Sequence, residues 1–377
     1  MKGQRILVCS RDPGGTNAIL PLLEPLRASG NELIVYGKDA ALAIYRKHDV
    51  NCHDISEAVP SGSQCQIDEL VRKVHPDLIV TGTSSEDFTE RSLWQAADKA
   101  GIKSFAVLDQ WTNYRLRLIS EGEDPTGGDA TSRLILPSFF FVMDEFAKDE
   151  MSALGIDRGK IIVSGQPFFD YIRKAGDALT TGEVENLRRE LAGSENSRVF
   201  LFASQPIASL HRKNGMPEDY WGYTELTVMK KVAKCLSMLA EGMAVKVVLV
   251  VRLHPKDEPD VYESALSMLP DSIKVVIDRN TDSSLLLKAS DLIIGMFSML
   301  LLEAAILERP FISVQIGLKR ENPLIFDRMG LVRSILTEQE LEDTLRGVMK
   351  GKNCQLPTFN FGFGAAERIA NYLEEVQ

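Results

Sequence analysis

The sequence predicts an α/β protein of two successive doubly wound domains facing a central cleft. Three observations carry that prediction. Short apolar runs alternate with helical stretches along most of the chain, the pattern of parallel strands buried on both faces. At 377 residues the chain is too long for one ordinary core. The alternation lapses over residues 174–197, which are charged and helical, and then restarts.

In order, strands are expected at Arg5–Cys9, Glu32–Tyr36, Asp77–Thr81, Lys103–Leu108, Phe139–Met143 and Lys160–Ser164. Helices are expected at Asn17–Ala28 (stopped by Gly30), Asp39–His48, Ile67–Val74, Glu90–Ala100 (closed by Gly101) and Ala147–Leu154. The polar stretch 121–132 reads as a surface loop. Arg198–Ala203 opens the second domain, followed by apolar runs at Val247–Val251, Lys274–Ile277, Leu292–Ile294 and Phe311–Val314. The resulting partition is 1–173, a crossing at 174–197, a second domain at 198–360, and a C-terminal helix within 361–377 placed to pack back on the first domain.

The composition, 44% hydrophobic and 25% charged, is that of a globular protein. The longest apolar stretch, Met296–Leu307, contains Glu303 and is too short to span a bilayer. The N-terminus enters a strand directly, without the apolar segment of a signal peptide, so a cytoplasmic protein is expected. A net charge of −10 argues against nucleic acid as partner. Five scattered cysteines and five scattered histidines form no metal-ligand spacing, so no metal site is expected and the thiols are expected to be reduced.

The residues that suit chemistry lie where strands end, the place where open α/β sheets bind ligands. After the first strand comes Ser10-Arg11-Asp12-Pro13-Gly14-Gly15-Thr16-Asn17. Its glycines admit a ligand or make a tight turn, Thr16 or Asn17 can cap the helix, and Asp12 can face the cleft. The run is not GxGxxG, and no acid ends the second strand, which argues against a dinucleotide. Thr81–Asp87, with Ser84, offers hydroxyls to sugar or phosphate oxygens, or caps the helix near Glu90. Asp109-Gln110-Trp111-Thr112-Asn113-Tyr114 combines an acid placed as a general base with aromatic faces for a sugar; alternatively Trp111 fills an interface. In the second half, Gln205 ends the first strand and His211, Arg212 and Lys213 are expected in the loop after it. Arg252-Leu253-His254-Pro255-Lys256 sets cations at a strand end, with Arg252 and His254 on one face. Gly295-Met296-Phe297-Ser298 opens a helix in which Ser298 can cap and donate to a phosphate. Glu303 can accept from ribose hydroxyls. Asp282 is most simply a helix cap.

The order of these motifs (Arg252–Pro255, Asp282–Asp291, Ser298, Glu303, Pro310) resembles the C-terminal domain of glycosyltransferases of the GT-B fold, which pairs two Rossmann-like domains. Phe139–Asp170 resembles the end of the N-terminal domain in the same superfamily. UDP-N-acetylglucosamine 2-epimerases and the glycerophosphotransferases of teichoic-acid synthesis share that pattern. The His254-Pro255 pair is similar to the HP motif of sialyl- and Kdo transferases, and Gln205-Pro206 to a QP motif of the latter. The acidic base motif of the sialyltransferases and the double-glycine phosphate loop of the epimerases are both absent.

The resemblance implies a metal-independent glycosyltransferase with a CMP- or UDP-linked sugar as donor substrate and no other cofactor. Its acceptor would be a surface polysaccharide or glycoconjugate, and peripheral membrane contact is compatible with that acceptor. The implied donor site comprises Gln205, Arg252, His254, Lys256, Ser298 and Glu303, with His254 facing the leaving phosphate. The acceptor site comprises Gly14, Gly15, Ser84, Trp111 and Tyr114, with Asp12 or Asp109 as base. A sugar-nucleotide 2-epimerase and a glycerophosphotransferase are the alternatives. Both call for first-domain histidines, and His48, His53 and His75 are poorly placed for that role. A sugar-nucleotide binding protein without catalysis is a further reading.

Overall fold

The computed structural model describes residues 3–120, 122, 134–193, 197–266, 272–352, 354, 356 and 358–376. The loop expected at 121–132 lies outside the described residues except for Gly122. The chain divides into two compact units: unit 1 is Met1–Tyr171 with Asn360–Gln377, and unit 2 is Ile172–Phe359.

Unit 1 holds a seven-stranded sheet: β1 (Arg5–Ser10), β2 (Glu32–Gly37), β3 (His53–Asp54), β4 (Leu78–Thr81), β5 (Lys103–Val107), β6 (Phe139–Val142) and β7 (Ile161–Val163). Its spatial order is β3-β2-β1-β4-β5-β6-β7, and every pair is parallel. Alternate side chains serve opposite faces. Ile6 and Val8 pack with the Leu23–Ala28 and Ala365–Glu375 helices, whereas Leu7 and Cys9 pack with the helices Gln64–Val74 and Thr89–Ala100.

One predicted helix is corrected. Instead of Asn17–Ala28, a helix Pro13–Ile19 begins at once after β1, a 3-10 turn spans Leu20–Leu22, and a second helix runs Leu23–Ala28. Pro13 sits in the first turn, where its missing N–H costs nothing. Pro21 has no N–H to continue the ladder, so the helix breaks there.

The Ala365–Glu375 helix is part of unit 1's core. Ile369 and Leu373 are buried, and Tyr372 meets Phe105, Phe139 and Phe141 edge-on at 6.4, 6.3 and 5.6 Å between ring centres. Asp170 accepts from the N–H groups of Gly364, Ala365 and Ala366 at 2.6, 2.8 and 3.3 Å, satisfying donors that the first turn leaves unpaired.

Unit 2 holds a five-stranded parallel sheet: β8 (Arg198–Ala203), β9 (Val247–Arg252), β10 (Ile273–Asp278), β11 (Leu292–Gly295) and β12 (Phe311–Ser313), in the order β10-β9-β8-β11-β12. Its core joins Phe200, Phe202, Leu249 and Val251 to the helices Glu225–Met243 and Glu338–Met349. Residues 174–193 form the end of the Pro167–Ala178 helix and a second helix, Thr181–Ala192. Arg188 on the latter grips both oxygens of Asp291 at 3.0 and 2.8 Å, beside the start of β11.

In each sheet the first strand lies inside, with later strands added on both sides. Strand order reverses between β1 and β4 in unit 1 and between β8 and β11 in unit 2. At such a reversal the loops beyond the carboxyl ends diverge and leave a crevice.

Candidate functional site

In unit 2 the reversal is bounded by Gln205, after β8, and Met296-Phe297-Ser298, after β11. Gln205 Oε1 accepts the Phe297 N–H at 3.0 Å, so this amide fixes one loop on the other. Ser298 is the N-cap of the Met299–Ile306 helix: its Oγ accepts from Leu300 N–H at 3.2 Å. That bond uses a lone pair and leaves the hydroxyl proton to donate. Glu303 lies one turn further along the same helix. Burial pushes its carboxyl up to about 7; Arg252 opposes the rise and Asp282 adds to it.

On the other side of β8, the chain leaves β9 through Arg252-Leu253-His254. His254 Nδ1 accepts the Lys256 N–H at 3.1 Å, and the His254 N–H donates to Asp257 Oδ2 at 2.8 Å. With Nδ1 accepting, the neutral ring carries its proton on Nε2. Burial holds the imidazole below its ordinary range, with Asp257 opposing and Lys256 assisting, so the neutral form prevails at pH 7.

The structure changes the reading of both expected groups of cations. Arg252 stands opposite Asp278 in the β9–β10 register, and its guanidinium forms an ion pair with that carboxylate, so its charge is already balanced. Lys256 is exposed in the turn that follows. His211, Arg212 and Lys213 are also not in a loop. They end the Ile207–Lys213 helix, where His211 is buried with Nδ1 3.2 Å from Glu218 O and Arg212 pairs with Glu218. Asp282 is the cap expected, accepting from Leu285 N–H at 2.9 Å.

In unit 1 the reversal is bounded by Arg11–Gly15 after β1 and Gly82–Ser84 after β4. Asp109, 11% exposed at the side chain, reaches this place from the end of β5. Its Oδ1 accepts from Arg117 Nη1 at 2.6 Å, and its Oδ2 lies only 2.0 Å from where a Cβ on Gly14 would stand. Gly14 is therefore required for the approach of Asp109. Gly15 backs onto the Gly82 Cα, which a Cβ on Gly15 would meet at 3.4 Å. Asp12 is the more open acid, with its side chain 33% exposed and Oδ1 3.0 Å from Arg11 Nη1. Neither Thr16 nor Asn17 caps the helix, because it starts at Pro13; Thr16 instead donates to Asp12 O at 2.8 Å from within it.

Two acceptor expectations are corrected. Trp111 is 2% exposed, donates from Nε1 to Asp144 Oδ2 at 2.8 Å, and stacks on Phe169 at 6.0 Å, so it offers no face to a sugar. Ser84 is buried, and its N–H donates to Glu90 Oε2. Tyr114 is half-buried at the start of the 3-10 turn Arg115–Arg117.

Sequence reasoning passed over Glu90 and Arg117. Glu90 is 2% exposed, and burial raises it to about 8. Asp12 and Asp109 push the same way, while the Ser84 N–H and Arg117 pull back. Arg117 joins Asp109 to the Thr83 carbonyl and hydroxyl. A signal for Glu90 existed: an acid in the first turn of a helix that follows a hydroxyl-rich loop at a strand end.

The comparisons with known proteins bear on this arrangement. The family described as CDP-Glycerol:Poly(glycerophosphate) glycerophosphotransferase matches residues 142–327. No curated protein matches the sequence. Among solved structures, the UDP-GlcNAc 2-epimerase from Neisseria meningitidis bound to UDP-GlcNAc is similar with a TM-score of 0.68 and 15% identity, covering 99% of this chain and 100% of that one. The UDP-GlcNAc 2-epimerase from Methanocaldococcus jannaschii gives 0.66 and 15%, covering 98% and 99%. A glycosyltransferase from Rickettsia africae gives 0.63 and 14%, covering 100% and 93%. The chain thus has the GT-B fold of two Rossmann-like units. Among the described residues no helix is long and apolar enough to cross a membrane.

Proposed function

We propose that the chain is a GT-B enzyme acting on a nucleotide-activated substrate, and specifically a metal-independent glycosyltransferase. It moves a sugar from a CMP- or UDP-linked donor to a polysaccharide or glycoconjugate hydroxyl. The observation that carries this reading is the His254 tautomer. A neutral imidazole with Nδ1 occupied presents Nε2–H as a fixed donor beyond the carboxyl end of β9. Ser298 offers a second donor at the reversal between β8 and β11. Donors set in place before reaction stabilise the phosphate charge that grows as the glycosidic C–O bond breaks. Glu303, as a carboxylate, accepts from the ribose hydroxyls.

In this reading unit 1 binds the acceptor, and Asp109 takes the proton from its hydroxyl. Arg117 orients the Asp109 carboxylate as the third member of a triad orients its base. The carboxylate base and the two phosphate-facing donors need no Lewis acid to supply their part of the step.

The family match over 142–327 favours a second reading, in which CDP-glycerol is the donor and glycerophosphate is transferred. The same unit 2 donors would then serve a departing CMP. A thermal-shift screen of CMP, CDP, UDP and GDP, followed by turnover assays with CDP-glycerol and the matching nucleotide sugars, separates the two. A CMP-selective shift with turnover of CDP-glycerol alone replaces the first reading by the second. No shift with any nucleotide removes both.

A further inference from the structure

Glu90 is not used by the reaction proposed above, yet it occupies the reversal point of the first sheet. Its carboxyl sits behind Gly82, whose added Cβ would meet Glu90 Oε1 at 2.9 Å and the Gly15 Cα at 3.1 Å. Oε2 takes the Ser84 N–H. Among the described residues Glu90 Oε1 and Ser84 Oγ find no hydrogen-bond partner, and both are buried. Unsatisfied buried polar atoms are costly, and two at one place call for a reason.

The groups facing this carboxyl come from every neighbouring element. Cys9 lies on β1, Asp12 in the turn after it, and Tyr45 on the Ala40–Lys47 helix. Asp109 follows β5, Arg117 ends its 3-10 turn, and Asp87 and Arg91 flank Glu90 along its own segment. Arg91 is spent on the carbonyls of Ser84, Asp87, Leu116 and Ile119. Arg117 therefore stands between Asp109 and the turn that Glu90 holds.

We propose that Glu90 is the positioning residue of unit 1: its carboxyl fixes the Thr83–Ser84 turn, and through Thr83 and Arg117 that turn sets the Asp109 carboxylate. This rests on the reading of Asp109 as base only for its catalytic meaning. The mechanical linkage stands on the hydrogen bonds. Ionisation of Glu90 would add a buried negative charge beside Asp12 and Asp109, whose own charges are already paired with Arg11 and Arg117.

The first test needs no substrate. Wild type, Glu90→Gln and Glu90→Leu are melted from about pH 5 to about pH 9.5, spanning the folded value and lying above the ordinary Glu value of about 4.3. Because the folded-state value is raised, the stability that Glu90 contributes is fully present below the unfolded value. It is lost as pH climbs towards about 8. The Tm of wild type relative to Glu90→Gln is expected to fall over that range and then level. Asp109→Asn should move the break to lower pH and Arg117→Met to higher pH. A break that ignores Asp109→Asn, or no break at all, overturns the linkage.

The second test uses the donor found in the nucleotide screen. Glu90→Gln keeps an oxygen for the Ser84 N–H and is expected to retain kcat at neutral pH. Glu90→Leu removes it and is expected to lower kcat by about 10- to 100-fold, the scale of a small misplacement of a reacting group, with nucleotide Kd unchanged. Wild-type kcat in a folded Glu90→Leu variant overturns the positioning role. If no nucleotide binds, the transferase reading falls and the pH experiment still decides the linkage.

Discussion

Gln205 Oε1 and the Phe297 N–H, 3.0 Å apart, tie the loop after β8 to the loop after β11 at the point where strand order reverses. One side chain thus holds the two loops in register at the proposed donor site. Gln205→Ala leaves that backbone N–H without its acceptor, at a cost of about 1–3 kcal/mol. The expected outcome is a lower Tm together with weaker nucleotide binding by calorimetry. A Tm loss with unaltered affinity would mean that the bond serves the fold alone.

His254→Ala removes the Nε2–H donor and leaves only an N–H in an exposed turn without its acceptor. The expected loss in kcat is about 10²–10³-fold, the scale of one transition-state donor, with Tm nearly constant. Because burial depresses the His254 pKa, the neutral ring prevails at neutral pH; on acidification Nδ1 gains a proton, which leaves Nε2–H donating but removes the acceptor of the Lys256 N–H that orients the ring. Its contribution to kcat should be level above neutrality and decline below it.

Glu303 titrates near 7, so ribose binding should follow its ionisation. Only the carboxylate is a full acceptor, and therefore nucleotide affinity is expected to rise as pH increases through that value. Glu303→Gln should abolish the rise. Parallel pH curves for the two proteins would exclude Glu303 from the site.

Trp111→Phe keeps the stack on Phe169 and strips Asp144 of the indole N–H. A destabilisation of about 1–3 kcal/mol is expected from the lost hydrogen bond to the half-buried Asp144 carboxylate, which still accepts from the Ala147 N–H. Acceptor KM should not change, because Trp111 faces the interior. A raised KM at unchanged stability would restore it as a sugar platform.

Leu373→Ala opens a cavity where the C-terminal helix meets unit 1, at a cost of about 2–5 kcal/mol. Chemical denaturation should show unit 1 unfolding earlier while the unit 2 transition stays in place. A shift of the unit 2 transition instead would contradict the assignment of this helix.

The strand–helix alternation was legible because strands buried on both faces must be apolar throughout, as in Val247–Val251 and Leu292–Ile294. The single early helix was misread because the apolar run over 17–28 hides two prolines: Pro21 breaks the helix by its missing N–H and ring clash, and Pro25 is tolerated only in the first turn of the next helix. Charges at strand ends were legible as residues but not as states. Arg252 is neutralised by Asp278, a neighbour across β9–β10 that no local spacing reveals. Trp111 looked like a binding face because sequence does not show which side of a loop is covered. Glu90 was overlooked because an acid in a first helical turn has an ordinary dipole role. Only its burial behind Gly82 and beside Asp109 makes it unusual.

The placement of the Ala365–Glu375 helix governs the order in which this protein matures. Unit 2 is one uninterrupted length of chain, whereas unit 1 lacks a wall of its core until residue 375 has been made. Domains usually complete from the N-terminus during synthesis. Here the unit begun first is finished last, leaving Phe105, Phe139 and Phe141 uncovered in the interval. Protease sensitivity of stalled nascent chains should persist in unit 1 after unit 2 has become resistant.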